Sequence, residues 1–167
     1  MSLSTLTFDN DENETLEAIE QALSHSDWDY ERDDSGGVQC IAGTRWGEIG
    51  ALFSFREEPA ALHFSMTLDV KPQAARRSVI GELVLAINER LWLGHFDYWI
   101  EDHVILFRHT IPMGGRTSPH PGEVHAVMVA GLEAVERFVP AFNFVIWAGK
   151  SPEEALAAVM FETDGEA

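Results

Sequence analysis

The hydrophobic positions change period several times along the chain, and each change marks an element. Leu16, Ile19 and Leu23 recur at helical spacing in an acidic segment, with Asp and Asn ahead of them as caps, which predicts an amphipathic helix over residues 11–24. Two short runs of strand formers follow, Trp28–Arg32 and Val38–Thr44; the turn signal Asp33-Asp34-Ser35-Gly36-Gly37 between them predicts a hairpin. Next, Ile49, Ala51, Phe53 and Phe55 alternate with small or polar residues. Beyond the break at Glu57-Glu58-Pro59, so do Leu62, Phe64, Met66, Leu68 and Val70. Two half-buried antiparallel strands are expected there, with His63 on the solvent side.

Residues 73–93 switch to a helical period, with Val79, Ile80, Leu83, Val84, Ile87 and Leu91 on one stripe and Gly94 as a left-handed stop. His95–Ile100 and His103–Ile111 then read as a hairpin that pairs Ile100 with His103, Tyr98 with Ile105 and Phe96 with Phe107. Its other face holds Trp99, Val104 and Leu106 beside His95, Asp97 and Arg108, which is more apolar than a solvent face usually is. The Gly- and Pro-rich stretch 114–122 is a loop that opens a long helix over 122–139, where Pro140 is expected to kink or break it. Ser151, Pro152 and Glu154 form the signature of a capped last helix ending near Met160. The expected organisation is a flexible acidic segment 1–10, one α+β domain over 11–161 and a frayed tail 162–167. In that domain, helices pack on an antiparallel sheet.

Composition narrows the function classes. Lys and Arg number 11 against 28 Asp and Glu, a net of −17, which argues against a nucleic-acid partner or an anionic membrane. Residues 1–35 hold eleven acids against Arg32 alone, read as a solvated helix face. With ten Phe and five Trp the chain has ample core material. A single cysteine, Cys40, excludes an intramolecular disulfide and a thiolate cluster, which suits a reducing compartment. No basic and apolar leader opens the sequence, and the longest apolar stretch, Phe138–Gly149, is too short for a bilayer span. The expected location is the cytoplasm.

A search for chemistry finds no assembled set. His120, Glu123 and His125, with His103 and His109 elsewhere, come closest to metal ligands, but His120 precedes two helix breakers and so lies off the helix that bears His125. No Gly-x-Ser-x-Gly turn is present, and Cys40 falls in a strand, where a small buried thiol is expected. Gly114-Gly115-Arg116 lacks the Lys and Ser/Thr of a phosphate-binding loop. The acid pairs Glu57-Glu58, Glu101-Asp102 and Glu153-Glu154 sit at turns or a helix start. No cofactor and no metal are expected.

The stretch from Ile87 through Asn88 and Gly94 to Asp97, the strand Val104–Arg108 and the segment Arg137–Phe142 resemble the YbjN domain family, provisionally described as bacterial sensory transduction regulators. Gly149–Leu156 resembles the tail of its alphaproteobacterial members. The likeness covers most of residues 25–160, and it rests largely on structural positions. It implies a fold like that of type III secretion chaperones and a family without an assigned reaction, cofactor or catalytic residue. Asn88 and Arg108 match family positions and are first explained as a helix-end hydrogen bond and a sheet-edge ion pair.

The leading expectation is a non-enzymatic, chaperone-like or regulatory protein-binding module, forming a homodimer or docking a protein partner. Its candidate interface is Trp99, Val104, Leu106 and Arg108. The alternative is a small-molecule or anion-binding protein, or a weak hydrolase, with a pocket near Arg116, His120 and His125.

Overall fold

A computed structural model describes the backbone of residues 3–164 and the side chains of residues 13–161. The outermost residues of the acidic start and of the tail, 1–2 and 165–167, lie outside that range. Helix α1 (Leu3–Leu23) leads into β1 (Asp29–Arg32), β2 (Val38–Thr44), β3 (Gly47–Arg56) and β4 (Ala61–Thr67). A 3-10 turn (Ala74–Arg76) and α2 (Arg77–Asn88) follow, then β5 (His95–Trp99), β6 (Val104–Pro112), α3 (Pro121–Ile146) and α4 (Pro152–Asp164). The six strands form one antiparallel sheet in the order β1-β2-β3-β4-β6-β5. This is the α+β architecture that the alternation of periods implies.

Strand parity sets the inner face. Val38, Cys40, Ala51, Phe53, Leu62, Phe64, Met66, Phe96 and Phe107 point the same way and join one cluster with residues from all four helices. Phe53 packs tilted against Phe64 at 4.7 Å between ring centroids, and Phe96 meets Phe107, Phe138 and Phe142 edge-on. Helix α3 crosses this face most closely at Gly131, where a Cβ would lie 2.9 Å from both Met66 Sδ and Phe64 Cε1 and 3.1 Å from Phe107 Cε1.

Several boundaries differ from expectation. Helix α1 begins at Leu3, well ahead of residue 11, because neither Pro nor Gly interrupts it there. The apolar stripe over 73–93 contains only a twelve-residue helix. It stops at Asn88, whose side chain leaves the helix for β5: Asn88 Oδ1 accepts from the Phe96 N–H at 2.8 Å, and its Nδ2 donates to the Phe96 carbonyl at 3.0 Å. Asn88 therefore stands in for a further strand at the sheet edge. Gly94 does adopt left-handed geometry at φ 68, but its role is to let the chain pass the Phe107 ring, into which a Cβ would run.

Pro140 neither breaks nor ends α3, which runs on to Ile146. Proline lacks the N–H that the carbonyl four residues earlier would accept, which leaves Glu136 O free. The indole Nε1 of Trp46, at the β2–β3 turn, donates to that carbonyl at 2.7 Å, and Arg45 N–H donates to Glu136 Oε1 at 3.0 Å. Thus the hairpin supplies the bond that proline removes. The hairpin pairings Tyr98–Ile105 and Phe96–Phe107 are as the sequence implies, whereas Ile100 and His103 lie in the turn. Ser151 and Glu154 form the expected reciprocal cap on α4.

Two substitutions test this packing. Gly131→Ala gains about 1 kcal/mol of helix propensity, yet it presses a methyl against two aromatic rings held by different strands. Overpacking of that kind costs about 1–3 kcal/mol, so the denaturation midpoint is expected to fall. Asn88→Ala orphans both backbone groups of the buried Phe96; a loss of about 1–3 kcal/mol and faster hydrogen exchange at the Phe96 amide are expected.

Candidate functional site

All four helices contribute to the core on the inner face, and the opposite face of the sheet carries no described helix. On its β4, β6 and β5 side, His63 lies opposite Thr110, Ser65 opposite Arg108 and then His95, and Thr67 opposite Leu106 and then Asp97. Trp99 and Val104 make the next pair. All four candidate interface residues therefore share one face, as strand parity implies.

Their exposure separates them. Trp99 is 44% exposed, whereas Leu106, between Thr67 and Asp97 on the adjacent strands, is 3% exposed. Leu106 is thus corrected from a contact residue to a packing residue of the outer face. Val104 is half-buried. Exposed apolar surface also comes from Ile41 and Leu52, which sequence reading left out because β2 and β3 were assigned only an inner face. A shallow hollow of about 360 Å³ between Ile41, Gly50 and the β1 residues adjoins them.

Arg108 is engaged: its Nε lies 2.7 Å from Asp97 Oδ2 and donates toward His95 Nε2 at 3.3 Å. His63 Nδ1 is 3.0 Å from Thr110 Oγ1. Burial holds the His63 pKa below its ordinary value, and the positive charges of Arg108, His95 and His109 add to that. His109 points inward beside Phe64 and is held down for the same reason, burial first and His95 second.

The alternative site does not come together as expected. Arg116 is held by Glu123 at 2.7 Å, and His120 caps α3, accepting from the Gly122 N–H while Glu123 accepts from the His120 N–H. Both side chains serve the helix start. His125 lies elsewhere, at the mouth of a cleft beside Trp28 and α3. Cys40 is buried, with its pKa pushed up to about 12 by that burial, so it is a thiol. Among the described residues, no group of three or more His, Cys, Asp or Glu is placed to hold a metal ion. No described helix is long and apolar enough to cross a membrane.

These features define an α+β domain whose conspicuous polar residues chiefly hold the fold, leaving an open sheet face as its distinctive surface. Residues 15–144 match the YbjN family, described as "Putative bacterial sensory transduction regulator", and the chain belongs to that family. No curated protein and no solved structure matches the chain.

The histidines give a pH signature. A histidine whose folded pKa is depressed binds its proton more readily once unfolded, so its contribution is complete above the ordinary value of 6.5 and is lost as pH falls through it. Stability should therefore decline from pH 7 toward 5, before the lowered carboxylates Glu20, Asp33, Glu123 and Glu154 begin to titrate. Chemical denaturation across that window is expected to show a shallower slope for the double variant His63→Gln, His109→Gln.

Proposed function

We propose that this YbjN-family chain is a non-enzymatic cytoplasmic regulatory module that binds protein, a second copy of itself or a partner, through the open sheet face. The family description supports a regulatory role at the coarse level. The observation that carries the docking reading is that a six-stranded sheet has all its described helices on one side and leaves Trp99, Ile41 and Leu52 exposed on the other. The order of helix, strands, inserted helix, hairpin and closing helices supports a chaperone-like arrangement of the kind the resemblance implies. Asn88 already occupies the β5 edge at Phe96, which favours face-on docking over strand addition there.

Trp99 is the natural anchor, because a buried interfacial tryptophan contributes about 2 kcal/mol or more to association. Trp99→Asp is expected to weaken self-association or partner capture at least tenfold while leaving the circular dichroism spectrum intact. Light scattering and affinity capture from bacterial cytoplasm read the two cases. A chain that stays monomeric at high micromolar concentration, and whose variant captures the same proteins as the parent, would overturn the reading.

A further inference from the structure

Between the Ser26–Trp28 turn, the end of β2 and α3 lies a cleft of about 420 Å³, within the size range of small-molecule sites. Its apolar wall is Trp28, Met128, Val129 and Leu132. Trp28 stacks on Phe64 at 6.2 Å between centroids, which fixes the indole in place, and Met128 is 2% exposed, so two of the four are preset. Val129 keeps 40% of its surface open. At Gly43 a Cβ would meet nothing within 4 Å, so the strand adds room rather than a side chain.

The polar side chains that line it are Ser26, Asp27 and His125, the last two exposed. The Asp27 carboxylate has no ion-pair partner among the described residues. Cations nearby in the chain are already occupied: Arg45 lies 3.9 Å from Glu136, and Arg32 donates twice to Glu20 at 2.8 Å. Arg116, which could have drawn an anion, is held by Glu123. An aromatic and aliphatic wall beside an unneutralised carboxylate, in a chain of net −17, selects a positive charge on an apolar body.

We propose that this cleft binds a small organic cation, a primary ammonium on a short arm from an aromatic or branched apolar group. The body would lie on Trp28, Val129 and Leu132 and the ammonium beside Asp27. This reverses the charge of the ligand that the histidines and Arg116 suggest in the sequence, and it is independent of docking at Trp99.

The test is calorimetric titration of the full chain near neutral pH with three probes of similar shape: 2-phenylethylammonium, 2-phenylethanol and 3-phenylpropionate. The ammonium is expected to bind at least tenfold more tightly than the carboxylate, with the alcohol between them. Asp27→Asn should bring the ammonium close to the alcohol. Val129→Arg, at an exposed position, should abolish binding with circular dichroism unchanged, and Trp99→Asp should leave it intact. The absence of binding by all three probes, a carboxylate equal to the ammonium, or an Asp27→Asn variant that discriminates like the parent would each overturn the proposal.

Discussion

The close approach of α3 to the sheet at Gly131 is the constraint on which the rest of the structure depends. With no side chain there, the helix backbone comes within van der Waals reach of Phe64, Met66 and Phe107, on two strands that are neighbours in the sheet but far apart in the chain. Every larger side chain on the inner face takes its place around that contact. Phe96, Phe138 and Phe142 interlock on one side of it, while Phe53 and Trp28 close on Phe64 from the other. A core filled this densely transmits small changes in volume, so the helix and the sheet cannot shift independently.

That contact needs α3 to remain one helix across the whole sheet, although Pro140 removes one of its hydrogen bonds. Trp46 restores a donor to Glu136, and Arg76 secures the far end by donating to the carbonyls of Val145 and Lys150. At the other end, Thr15 donates to the Thr117 carbonyl and so ties α1 to the loop that opens α3. Bonds of this kind contribute about 1 kcal/mol each. Their larger effect is to leave a helix of 26 residues with only one way to lie.

With every described helix on the inner face, the outer face must meet water on its own resources. It does so in part with short polar side chains, with the Asp97–Arg108 pair and with Leu106 tucked between strands. Trp99 at one end, and Ile41 diagonal to Leu52 on β2 and β3, remain exposed apolar surface. The molecule thus offers two unlike surfaces, the open face of the sheet and, beside α3, a cleft with Asp27 at its mouth. The excess of acid over base favours cations at both, over a range that screening limits to about 8 Å at physiological salt.

The amino-acid sequence by itself determined the element types, the inner parity of every long strand, the β5–β6 register and the caps on the last helix, because each depends on residues a few positions apart. It also pointed to the family, through residues such as Asn88, Gly94 and Arg108. What only the tertiary structure decided depends on partners distant in the chain. Asn88 is a helix-end amide in sequence and an edge seal in space, and Pro140 is a breaker until an indole 90 residues away meets the carbonyl it frees. Leu106 has outward parity, yet it is buried, between Thr67 and Asp97 once β6 pairs with β4 and β5. His120 and His125 are close in sequence and serve a helix cap and a cleft. Local periodicity records which way a side chain points; what stands opposite it is set by strand order and helix crossing, which no short window of sequence contains.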